Sequence, residues 1–268
     1  MISSMNEGKL CSQSKGIDSP PVREGAQLVL SPHFDDAALS VTLQAIRPGS
    51  TVVTVFSGAP SENQEETVWD ALTRAQSAVS RHWERVAEDS EAMSGIGCSV
   101  RHLGEPEEQY RSTSEVDIGR LEGLISPWVS NASEVWAPAA IGGHADHIAV
   151  RKAALAACRA VGDLAPELYF YADLPYSLAY GWPSWVTGKP FPEYLDTDFW
   201  LNSELAAQGI DDICVTRKVF PLDRGSQERK RSAVRSYKSQ LPALGLGPTD
   251  VERWDQVLGY EVAWRVLL

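Results

Sequence analysis

Three of the chain's five histidines stand in two short stretches that also hold three aspartates. The first, "LSPHFDDA", puts His33, Asp35 and Asp36 directly behind the apolar run "AQLVL". The second, "GGHADHIAV", puts His144, Asp146 and His147 behind "EVWAPA" and two glycines. Imidazole nitrogens and carboxylate oxygens are the donors of an open zinc site, three from the protein with a fourth position left for water. The same groups can also carry protons. Taken singly, each stretch has a plainer use. The first could be a turn whose aspartate caps the next helix, and a His-x-x-His at a helix start is often mere surface. Two such stretches, each closing an apolar run, favour a shared site.

The elements around them decide whether the stretches can meet. "AQLVLS" suits a buried strand, and "DDAALSVTLQAI" follows with helical spacing. "TVVTVFSG", "CSVRHLG", "EVWAPA" and "ELYFYADLP" are further strands. Between them the pattern predicts a long helix from about Glu65 to Ala92, a helix in "SEVDIGRLEGLISPWV", and one in "HIAVRKAALAACRAVG" stopped by Gly162. Strand and helix alternate from 26 to about 175, which implies an α/β fold: a mostly parallel, Rossmann-like sheet with helices on both faces. In such a sheet ligands bind beyond the carboxyl ends of the strands. Both stretches lie there, and at a spacing of three His144 and His147 share one face of a first helical turn. Residues 176–225 are rich in Pro, Gly, Trp and Tyr and are expected to form a loop-rich excursion of loops and short strands. "SQERKRSAVRSYKSQL" follows as a surface helix.

Residues 1–25 are poor in apolar side chains and are expected to be a flexible segment, leaving 26–268 as a single domain. The net charge of −12 and sequence pI near 4.9 argue against nucleic-acid and anionic-membrane partners. No apolar run reaches membrane-spanning length, so no membrane insertion is expected. The N-terminus lacks a signal-peptide core, and Cys11, Cys98, Cys158 and Cys214 form no close pair. Both features imply a cytoplasmic chain with free thiols. A homo-oligomer is compatible with the sequence.

With both stretches in view, the chain resembles the LmbE/PIG-L family of zinc-dependent deacetylases. "PHFDDA" resembles the family's His-Pro-Asp-Asp segment, and "HADH" its His-x-Asp-His segment. "AVRSYKSQL" is similar to a further segment near the C-terminus. The resemblance implies Zn²⁺ (or another divalent transition metal) on His33, Asp36 and His147, with Asp35 as the general base for the attacking water. It implies that His144 stabilises the oxyanion or protonates the leaving amine, and that Asp146 orients His144. The implied reaction removes an N-acyl group, most simply acetyl, from a small-molecule amino sugar or its conjugate. Phe34 replaces the usual proline, Ala37 a common glutamate, and Gly142 a tyrosine that helps at the carbonyl in some members. Tyr110, Tyr171 and Tyr176 are candidates for that last role.

Arg85, with Glu88 and Asp89, lies in a family-like "R-x-x-E-D" segment, although a solvated helix face explains these residues equally well. Glu107, Asp173 and Tyr176 follow strand ends and are candidate substrate contacts. Trp182 and Trp185 either stack on a sugar or fill a small accessory core. An Mg²⁺-dependent phosphohydrolase would account for Asp35 and Asp36 but leave His144 and His147 unused. An amidase acting on a non-sugar amide, or a silent sugar-binding relative, keeps the fold and changes the outcome.

Overall fold

The computed structural model describes residues 27–42, 46–179, 182, 184–188, 197–207 and 214–268. The N-terminal segment 1–25 lies outside them. Seven strands form one sheet: β1 (Gln27–Ser31), β2 (Thr51–Thr54), β3 (Ser99–His102), β4 (Glu134–Pro138), β5 (Glu167–Tyr171), β6 (Cys214–Pro221) and β7 (Tyr260–Leu267). Their spatial order is β3-β2-β1-β4-β5-β7-β6. The first five run parallel, and β7 is antiparallel to both β5 and β6. All five residues of β1 are buried, as a strand covered on both faces requires.

The helices are α1 (Asp36–Val41), α2 (Val68–Leu72), α3 (Ala78–Gly95), α4 (Ile118–Val129), α5 (Ala145–Val161), α6 (Ser184–Thr187), α7 (Thr197–Ala207), α8 (Arg224–Arg235) and α9 (Val251–Gly259). α4 packs on α5, while α3 and α1 pack on α8. The chain builds outward from β1 through β2 and β3, then returns to the other side with β4 and β5. Right-handed crossovers in opposite directions place their helices on opposite faces. The order reverses between β1 and β4, which is the switch point where such sheets bind ligands. α5 buries Ala149, Ala153, Ala154 and Ala157, small side chains that let it lie close to its neighbours, and ends at Gly162 with φ of 69°.

Three expectations need correction. The long helix over 65–92 is two helices. Asp70 and Thr67 close a capping box on α2, Arg74 turns at φ of 55°, and Ser77 caps α3 afresh. The excursion after 176 holds helices α6 and α7, and β6 belongs to the main sheet. β7, absent from the sequence reading, inserts between β5 and β6 with Val262, Ala263, Trp264 and Val266 buried.

Candidate active site

The loop after β1 is shaped by its own polar atoms. Ser31 Oγ donates to the His33 carbonyl at 2.6 Å and accepts the Ala37 N–H at 3.0 Å, so a serine satisfies the start of α1. Asp35 stands at the N-cap position, yet its side chain makes no capping bond. Its carboxylate is thereby left for the pocket. Asp36 folds back, and its Oδ2 accepts the His33 N–H at 2.8 Å.

The loop after β4 turns through Gly142 and Gly143, at φ of 96° and 76°, a left-handed region that favours glycine. His144 is the N-cap of α5, its Nδ1 accepting the Asp146 N–H at 3.2 Å. His147 then falls on the first turn, wholly buried.

The two loops converge on one atom. Asp36 Oδ2 lies 3.3 Å from His33 Nδ1 and 3.2 Å from His147 Nε2. The far nitrogen of each ring is held by another carboxylate. His33 Nε2 meets Asp146 Oδ2 at 2.9 Å, and His147 Nδ1 meets Asp173 Oδ1 at 2.6 Å. Asp173 Oδ2 is in turn held by the Ile141 N–H at 3.0 Å, and Asp146 Oδ1 by Arg111 Nη2 at 2.6 Å. His147 Nε2 is buried with no hydrogen-bond partner, and candidate ligand atoms of His33, Asp36 and His147 lie within 4.8 Å of one another. Two imidazole nitrogens and a carboxylate oxygen, each ring braced from behind, fit the donor set of a catalytic zinc site.

The electrostatics agree. Burial raises the Asp35 pKa, the Asp36 charge adds to it, and the group sits at about 6 despite the opposing pull of Arg85. Burial works against the Asp36 charge too, but His147 and His33 hold that pKa well below the usual carboxylate range. Burial lowers His147, and Asp36 and Asp173 outweigh it, lifting the group to about 9. The pair thus draws positive charge onto the place a divalent cation would take. His144 is pulled down to about 4, by burial first and then by His33 and His147, so it is neutral near pH 7.

A cavity of about 160 Å³ opens beside these groups. Among the residues named from sequence, it brings together His33, Asp35, Asp36, His144, Asp146, Arg85, Glu107 and Tyr176. Arg85 pairs with Glu107 at 2.6 Å, both buried, and its guanidinium lies over the Phe34 ring at 4.9 Å. Tyr176 presents its ring edge-on to His147 and His144.

Three placements differ from expectation. Asp173 is not on the cavity wall; it is buried behind His147 with both oxygens engaged. The Asp146 carboxylate grips His33 and Arg111, and it is its backbone N–H that meets His144. Trp182 is buried and donates to the Gln256 carbonyl, while Trp185 packs on Trp264 and under Arg217. Neither lines the cavity. Glu108, Gln109 and Pro175 also line it, from the loops "LGEPEEQYR" and "YADLPYSLAYGWPSW" expected to supply its walls, with Arg111 of the first bracing Asp146; Trp69 and Leu244 line it without a signal in the sequence.

The arrangement defines a class of α/β protein: a Rossmann-like parallel sheet carrying a histidine–aspartate rim at its switch point. The profile of the PIG-L family, described as GlcNAc-PI de-N-acetylase, matches residues 28–158 of this chain. A 2'-N-acetylparomamine deacetylase of Streptomyces fradiae is 31% identical over 179 residues, 58% of this chain and 59% of that protein. The match thus spans about three fifths of that relative's length. Among solved structures, the A40926 pseudoaglycone deacetylase is 24% identical over 91% of this chain and 98% of its own, at a TM-score of 0.67. A structure described as the zinc inhibited form of teicoplanin deacetylase is 22% identical over 90% and 97%, at 0.66. These two establish the shared fold. Among the described residues, no helix is long and apolar enough to cross a membrane.

Proposed function

We propose that the chain is a metal-dependent N-deacetylase acting on an amino sugar or amino-sugar conjugate. The observation that carries this is the meeting of His33 Nδ1, His147 Nε2 and Asp36 Oδ2, with the uncommitted carboxylate of Asp35 in the same cavity. His33, Asp36 and His147 would hold zinc or a similar divalent metal. When bound, such a metal polarises the amide carbonyl and makes water a usable nucleophile near neutral pH.

The chain's own residues supply the rest. Asp35 takes the proton from the attacking water and delivers it to the amine nitrogen as the C–N bond breaks, because its carboxylate is spent neither on the helix cap nor on the metal position. His144 serves as a hydrogen-bond donor to the carbonyl oxygen. Its Nδ1 accepts from a backbone N–H, so the neutral ring carries its proton on Nε2. Asp146 holds His33, and Asp173 holds His147, each leaving the opposite nitrogen free to ligate. Glu107, locked to Arg85, and Tyr176 form the adjoining wall. The cavity is smaller than the ~300–1,000 Å³ of sites that enclose a drug-sized ligand. It takes the acyl group and one ring, and the remainder of a larger scaffold lies outside. The deacetylase names of the relatives support the same reaction.

The test joins metal analysis to amine release. Protein purified without chelator is assayed for bound metal, then for free amine from N-acetylglucosamine and 2'-N-acetylparomamine, with N-acetyl amino acids alongside. Because one neighbour is described as zinc-inhibited, zinc is added both at one equivalent and in excess. Release from the sugars with about one metal per chain is expected. Preference for the amino acids would reject the sugar reading, and a folded protein that binds no divalent metal would reject the mechanism.

A further inference from the structure

We infer that Trp69 is the stacking platform for the substrate's ring and that Gln240 locks it in place; this rests on the amino-sugar reading above. Trp69 lies on α2, one of the shortest helices, and it is a half-buried wall of the cavity. Its only polar atom is already spent: Nε1 donates to Gln240 Oε1 at 2.7 Å. What remains of the side chain toward the cavity is apolar ring. The negative face of an indole attracts weakly positive C–H groups, and the axial C–H faces of a pyranose present such a surface. Leu244 extends the same wall.

The lock is built. Gln240 is fully buried, 171 residues along the chain from its partner. Its Nε2 donates to Ser239 Oγ at 2.7 Å, and Ser239 is clasped by Glu88 through its N–H at 2.8 Å and its hydroxyl at 2.7 Å. Glu88 belongs to α3, so a line of hydrogen bonds runs from the body of the fold to the rim. On its other side α2 is tied to the loop after β3, where Thr67 Oγ1 donates to Gln109 Oε1 at 2.8 Å and Gln109 Nε2 donates to Glu107 Oε2 at 2.8 Å. An indole whose edge is fixed at this cost in buried polar groups is being aimed. The exposed face of α2, Val68 and Leu72, needs no such ties.

The experiment is steady-state deacetylation of N-acetylglucosamine by wild-type protein and by Trp69→Ala, Trp69→Phe and Gln240→Ala. Binding of the same sugar is followed by saturation-transfer NMR, and the exposed Trp83→Ala serves as control. Loss of an aromatic stack predicts a rise in KM of about three- to tenfold for Trp69→Ala, with kcat little changed. Trp69→Phe should recover most of it, Gln240→Ala should show a smaller rise, and Trp83→Ala none. A merely structural role for Trp69 would lower kcat and thermal stability and leave KM alone. An active wild type whose KM is unmoved in both Trp69→Ala and Gln240→Ala overturns the platform and leaves the deacetylase reading standing. A wild type that neither binds nor hydrolyses N-acetylglucosamine overturns the platform for this sugar class. It strikes the deacetylase reading only if 2'-N-acetylparomamine also fails.

Discussion

The parallel half of the sheet and its antiparallel return divide the work. From β1 to β5 the chain lays down the switch point, and every side chain that meets at Asp36 Oδ2 comes from there. Among the described residues the return, with β6, β7, α8 and α9, supplies no candidate ligand. It seals the sheet edge beside β5, while the segment between α8 and α9 sends Leu244 to the cavity wall and the buried Gln240 to Trp69. Beside the shared apolar core and the β5–β7 ladder, part of its grip on the first half is polar and buried. Tyr237 donates to Asp89 Oδ1 at 2.8 Å, and Asp89 Oδ2 is shared by Thr54 at 3.1 Å and His102 at 2.9 Å. The lesson is that the reacting groups can be local to two loops while the shape of the pocket depends on residues much later in the chain.

That division can be broken by substitution, and the largest effects belong to the first half. His147→Ala removes one of three proposed ligands; metal content and deacetylation should both fall to background, measured by elemental analysis and amine release on the same sample. Asp35→Asn should keep its metal and lose about 10²–10⁴-fold in kcat, since asparagine is nearly isosteric but cannot accept the proton. If metal departs with activity, Asp35 is a ligand. Asp173→Asn should weaken metal affinity by about 10–100-fold, read by competition with a chelator, because His147 loses the carboxylate that orients it. The smallest effect should come from the return. Tyr237→Phe leaves the buried Asp89 short of a donor and should cost about 1–3 kcal/mol of stability in denaturant, with metal affinity unchanged. A Tyr237→Phe protein that loses its metal would erase the distinction between the halves.

The parallel half of the frame and the two candidate segments at its strand ends were legible in the sequence. "PHFDDA" and "HADH" announce themselves because ligand chemistry needs rare residue types close together, and strand ends locate them. β1, β4 and β5 were visible as apolar runs. The break at 73–77 was not, because the apolar spacing continues across it and only the capping side chains and Arg74 decide the turn. β7 was overlooked although "YEVAWRVLL" is a plain apolar run. Its partners lie about 90 residues back in β5 and about 40–50 back in β6, and nothing local encodes antiparallel insertion. Trp69 hid for a similar reason. The role proposed for it depends on Gln240, and no local pattern links the two, whereas Trp182 and Trp185 stand in a conspicuously aromatic loop and are packed away from the cavity.

Gly142 and Tyr176 share one slot. A Cβ built on Gly142 would sit 3.0 Å from Tyr176 Cβ and 3.2 Å from its Cδ1, on a backbone at φ of 96°. The two positions are therefore epistatic. A side chain at 142 would crowd the Tyr176 ring, so gaining one there requires that ring to shift or to be replaced by something smaller. In homologues the two positions should covary, with a bulky residue at 142 accompanied by a small one at 176. In the laboratory, Tyr176→Gly should recover part of the stability that Gly142→Tyr costs, the remainder being the strain of a non-glycine residue at φ of 96°.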